Sequence, residues 1–83
     1  MTTYQVNAKC NKTQGIDVTF KGIATLEQAF ECANTLEGAF SDVNIVCEQT
    51  GEVMYNRYVA TDCYNPHIEM GKAIFTAEFN LHV

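Results

Sequence analysis

Apolar and polar side chains alternate from Tyr4 to Cys10, with Tyr4, Val6, Ala8 and Cys10 on one face and Gln5, Asn7 and Lys9 on the other. A two-residue period of this kind marks a half-buried strand. Asn11-Lys12-Thr13-Gln14-Gly15 supplies turn chemistry. Alternation resumes with Ile16, Val18 and Phe20 against Asp17, Thr19 and Lys21, so a hairpin is expected, ended by Gly22. Beyond it the period changes. Leu26, Ala29, Phe30, Ala33 and Leu36 recur at three- and four-residue intervals, opposite Glu27, Gln28, Glu31, Asn34 and Thr35. Thr25 followed by Gln28 is a capping-box pattern, and Gly38 suits a left-handed cap, so one helix is predicted between them with Phe30 facing the core. Phe40 is expected to pin the exit loop.

A second hairpin follows. Val43, Ile45 and Cys47 alternate in its first strand, Gln49-Thr50-Gly51-Glu52 forms the turn, and Val53 to Ala60 returns. Residues 62–67 read as a loop because Pro66 lacks an amide donor. Ala73, Phe75, Ala77, Phe79, Leu81 and Val83 then share one face of a final strand, with Ile74 out of phase. The order is β-β-α-β-β-β: an α+β fold with an antiparallel sheet of about five strands and one helix on one face. The other sheet face is left open, polar over the first hairpin but carrying Met54, Tyr58 and Ile74, which are less easily left in water.

The chain has 83 residues, enough for a single domain spanning residues 1–83, and 47% hydrophobic content argues for a packed fold. No stretch approaches the roughly 20 apolar residues that cross a bilayer, and the first residues lack a signal-peptide pattern, so a cytoplasmic protein is expected. Cytoplasmic thiols are normally reduced. Cys10, Cys32, Cys47 and Cys63 form no C-x-x-C pair, so they are read as free, mostly buried thiols.

Charge is the feature that departs most from what local stability selects. Between Gly22 and Asn56 lie Glu27, Glu31, Glu37, Asp42, Glu48 and Glu52 and no lysine or arginine, a net −6 within a chain of net −5. Glu27 suits a helix N-terminus, but Glu37 opposes the dipole at the other end, and Glu27 with Glu31 forms a like-charged i, i+4 pair. These six acids, together with Tyr58, are the candidate partner-binding residues, and a basic partner is the one their field would steer.

Other chemistry has less support. Cys63 and His67 stand four positions apart, but a zinc site needs further ligands and a cysteine enzyme an orienting group and an oxyanion hole, so no catalytic or metal site is expected. The glycines form no phosphate-binding loop, so no cofactor is expected. Asn11-Lys12-Thr13 matches a glycosylation sequon but reads as turn chemistry. Lys9, Lys12 and Lys21 cluster on one hairpin, yet three cations on an acidic chain are too few for direct nucleic-acid binding.

Tyr4-Gln5-Val6, Gly15 with Val18-Thr19-Phe20, Thr25-Leu26-Glu27-Gln28-Ala29-Phe30 and Glu48-Gln49-Thr50-Gly51-Glu52 give a layout that resembles small phage and mobile-element proteins, including anti-CRISPR inhibitors of type I systems. The resemblance rests on size, element order and acidic character and transfers no functional residue. It implies a non-enzymatic inhibitor that binds a host nucleic-acid-binding defence protein and blocks it by occlusion. The alternative is a structural module that homo-oligomerises, as a homodimer for instance, through its open sheet face.

Overall fold

The computed structural model describes residues 1–60, 62–63 and 66–81, the side chains of 77–81 excepted. Its elements are β1 (Tyr4–Lys9), β2 (Val18–Ile23), α1 (Leu26–Leu36), β3 (Asp42–Cys47), β4 (Val53–Tyr58) and α2 (Pro66–Leu81). The four strands form one antiparallel sheet in the order β2-β1-β3-β4. Both predicted hairpins are present, and β1 pairs with β3 to join them. That puts the two most buried strands at the centre.

Gly22 does not end the first hairpin but lies inside β2 at φ +71°. Tyr4 pairs with Ile23 and Val6 with Phe20, so β2 carries one extra residue over this stretch. A glycine in the left-handed region is what such a bulge requires. The bulge shifts the phase so that Ile23, after Phe20, again faces the core, where it is buried.

Helix α1 begins as its sequence indicates, with the Thr25 hydroxyl accepting from the Gln28 amide at 3.1 Å. Its buried side is Ala29, Cys32, Ala33 and Leu36, and it packs on Val6, Ala8, Val43 and Ile45 of the central strands. Phe30 is only half-buried, at the edge of this stripe, where its ring meets Tyr55 edge-to-face at 5.1 Å. Gly38 is not a left-handed cap. The turn closes instead through Ala39 and Phe40 amides donating to the Leu36 carbonyl, and a Cβ on Gly38 would sit 3.6 Å from the Glu69 carboxylate of α2. Phe40 is buried in the core as expected.

The predicted fifth strand is a helix, so the sheet has four strands and α1 is joined by α2. Over residues 66–76 the shielded positions are Pro66, Glu69, Met70, Ala73 and Thr76, a helical period, and α2 lies along α1 on the same side of the sheet. Pro66 opens the helix, where its missing N–H costs nothing and its fixed φ is already helical. Ile74, out of phase as a strand residue, is therefore on α2 and not on the open sheet face. The last two residues assigned to that strand, 82–83, lie outside the described residues, as do 64 and 65 of the expected loop. Among the described residues no helix is long and apolar enough to cross a membrane.

Cys10 and Cys63 are joined in a disulfide, with Cα atoms 5.9 Å apart, which corrects the expectation of four free thiols. Chain topology brings them together: Cys10 follows β1, Cys63 precedes α2, and α2 packs back over the first hairpin. Cys32 and Cys47 are free and buried.

Candidate interaction surfaces

The six middle acids do not share one surface. Glu37, at the C-terminal end of α1, accepts from the Tyr55 hydroxyl on one carboxylate oxygen and from the Arg57 guanidinium on the other. This resolves the apparent misfit of an acid at a helix C-terminus, because β4 supplies the cation. The Glu37 carboxylate holds the Arg57 proton more tightly and, as the acceptor of its hydrogen bond, pushes the Tyr55 hydroxyl above the usual tyrosine range. Asp42 faces Lys9 across the β1–β3 ladder at 3.8 Å. Glu48 accepts the amide of Gly22 and so holds the β2 bulge.

Glu27, Glu31, Glu48 and Glu52 are the exposed acids of this middle stretch. Glu27 and Glu31 stand one turn apart on α1, whose eleven residues include no base. Glu52 lies beyond the β3–β4 turn. Asp42 and Glu48 are at opposite ends of β3, about 20 Å apart at the usual rise of a strand. Exposed carboxylates stand together in the Glu27–Glu31 stripe.

Both helices lie on one side, so the other sheet face is open. Across it runs a row that no charge count reveals. Thr19 pairs with Asn7, Asn7 with Asn44 and Asn44 with Asn56, one residue from each strand. The Asn7 side chain accepts from the Thr19 hydroxyl and the Gln5 amide and donates to Asn44 at 2.9 Å, and Asn7 is only 7% exposed. Thr19, Asn7 and Asn44 were legible as the polar phase of their strands and Asn56 was not, and the alignment of all four needs the strand order and register. Tyr58, in the next row beside Asp42, is 62% exposed, and Met54 is exposed near the hairpin end.

Cys63 and His67 do come close to one cavity, but not as a nucleophile and its base. With Cys10, Val18, Phe40 and Met70 they line an apolar hollow of about 330 Å³ between the first hairpin and α2, and the Cys63 sulfur is committed to the disulfide. Asp17, at the rim, accepts from the Cys10 amide at 2.7 Å and the Thr13 hydroxyl at 3.0 Å. Thr13 thus belongs to the turn, in keeping with the reading of its sequon as turn chemistry. Among the described residues no three His, Cys, Asp or Glu side chains are grouped to hold a metal ion.

The two free thiols differ. Burial pushes Cys32 up to about 12, whereas the Thr50 hydroxyl and the Thr50 and Gln49 amides lower Cys47 below the usual thiol range. Comparison with known proteins adds nothing to this geometry: no family model, curated protein or solved structure matches the chain.

Proposed function

We propose that this chain is a non-catalytic acidic binding protein, an anti-CRISPR-like inhibitor of the phage and mobile-element kind. It acts in the host cytoplasm by covering the nucleic-acid-binding surface of a basic defence protein. The observation that carries the reading is the Glu27–Glu31 stripe on a helix without a single base. Glu27 suits the helix N-terminus, but a second like charge one turn on costs a helix a few tenths of a kcal/mol, so local stability does not account for Glu31 beside it. An outward negative field accelerates encounter with a cationic surface. The contact centres on Glu27 and Glu31, exposed carboxylates one turn apart on α1, with Glu52 as a further exposed acid.

The test is association with a purified type I surveillance complex over a salt series. Glu27→Lys with Glu31→Lys is expected to slow association by roughly tenfold at low salt and to flatten the salt dependence, with the fold retained at a cost of a few tenths of a kcal/mol for a lysine in the first helical turn. Equal rates and equal inhibition for wild type and variant would retire the reading. Glu37 is left out of the variant because its reversal would set lysine against Arg57. Assembly through the open sheet face has one observation in its favour, the exposed Met54 and Tyr58, but the Asn7–Asn44 row makes the centre of that face polar. Tyr58→Ala separates the two readings, since it weakens binding only if the face is used.

A further inference from the structure

The two edges of the sheet are unlike. Strand β2 is kinked by the Gly22 bulge, carries exposed Lys21 and is flanked by α2, all devices that discourage pairing with another chain. Along Tyr55–Tyr58 strand β4 is neither kinked nor flanked by a helix, and its one cation in that stretch, Arg57, is tied to Glu37 on the helix side. Its own irregularity lies at the hairpin end, opposite Ile45 and Val46, and among the described residues its backbone runs beside β3 and no other element.

Which backbone groups face outward follows from one hydrogen bond. The Val59 amide donates to the Ser41 carbonyl at 2.7 Å. Antiparallel pairing alternates residues that bond the neighbour with residues that do not, so Arg57 and Tyr55 bond β3, and Asn56 and Tyr58 direct their N–H and C=O groups away from the sheet.

We infer that this edge pairs with the same edge of a second copy, antiparallel, about a two-fold axis at Asn56, so that two four-stranded sheets become one of eight strands. Three features select that register. Residues with outward backbone groups meet at the axis, Asn56 with the partner's Asn56, and Tyr58 comes opposite the partner's Met54 at the bulge. The Thr19–Asn7–Asn44–Asn56 row continues into its symmetry mate, placing amide opposite amide on the open face. On the helix side Arg57 meets the partner's Tyr55, whose hydroxyl is already bonded to a Glu37 carboxylate, so each guanidinium gains a second anion nearby. Shifting the axis to Arg57 would set the two guanidiniums opposite each other, and shifting it to Tyr55 would place Arg57 opposite Val53 and break the amide row. An isologous contact requires a patch that complements itself, and this edge does so only about Asn56.

Sedimentation equilibrium over a wide concentration range tests the pairing. Wild type is expected to be a reversible dimer. Asn56→Pro removes an N–H that has no bond within the sheet, so the fold should persist while two intermolecular hydrogen bonds are lost, raising the dimer dissociation constant by at least about thirtyfold. If circular dichroism shows that the proline variant is unfolded, Tyr58→Lys replaces it, because a lysine on an edge opposes strand addition. A wild type that stays monomeric throughout overturns the inference, as does a folded variant that keeps the wild-type constant. So does a dimer dissolved by Asn7→Lys, at the centre of the open face, and untouched by the edge substitutions.

Discussion

Cys32 and Cys47 have the same side chain and opposite chemistry, because one is surrounded by α1 and the central strands and the other by hydrogen-bond donors of a turn. Burial raises Cys32 to about 12 from an ordinary 9.0. Unfolding returns that thiol to the ordinary value, so above it the unfolded chain binds fewer protons than the native one. Stability is therefore full below 9.0 and falls as pH rises toward about 12. Unfolding midpoints measured from neutral pH into this range should decline more steeply in wild type than in Cys32→Ala, although the variant starts lower for want of packing. Parallel curves would show that Cys32 does not titrate on unfolding. The sequence marked Cys32 only as one of four thiols presumed buried, and left Glu37 looking misplaced. The partners of both are distant in sequence: Arg57 lies 20 positions from Glu37, and nothing in the local pattern links them.

Glycines make the same point for the elements. Gly22 and Gly71 both have open space where a Cβ would stand, so steric contact does not distinguish them, but Gly22 is at φ +71° and Gly71 lies within a helix. Gly22→Ala should cost about 1–2 kcal/mol from the left-handed conformation alone. Gly71→Ala should stabilise by nearly 1 kcal/mol, the helix propensity difference. Chemical denaturation of the two variants checks both signs, and a stabilising Gly22→Ala would remove the bulge from the account of β2. Element types were legible wherever only one period fitted: β1, α1 and the β3–β4 hairpin all follow their patterns. Segment 66–81 fits two. Ala73, Phe75, Ala77, Phe79 and Leu81 alternate, while Met70, Ala73, Ile74, Ala77 and Leu81 recur at helical spacing. Length decides, since 16 residues without a turn exceed an ordinary strand, and Pro66 at the start favours a helix. The cost of that choice is visible on α2, whose outer side exposes Ile68, Ile74 and Phe75.

For the whole molecule the decisive link is the one between Cys10 and Cys63, which spacing alone does not suggest because the chain must first fold α2 back over the first hairpin. Their separation of 53 residues makes the bond a strong constraint on the unfolded chain, about 4 kcal/mol by loop-closure entropy. Against this stands the backbone of Cys63, a non-glycine residue at φ +56°, whose relaxation on reduction returns about 1 kcal/mol. A net loss of about 3 kcal/mol is expected for Cys10→Ser with Cys63→Ser, a large share of the stability of a small domain. The sheet should survive it, since Val6, Val43, Ile45 and Leu36 are buried away from the bond. Urea unfolding of wild type with a dithiol reductant should coincide with the double variant without it, and wild-type midpoints that ignore reductant would show that the bond contributes nothing to stability. The same pair of proteins bears on where the chain works. Cytoplasmic thiols keep such bonds open, so a cytoplasmic inhibitor must act in the less stable, reduced form, and the double variant should inhibit as well as wild type. Loss of inhibition in a variant whose sheet remains folded would instead tie activity to the closed bond and to an oxidising compartment.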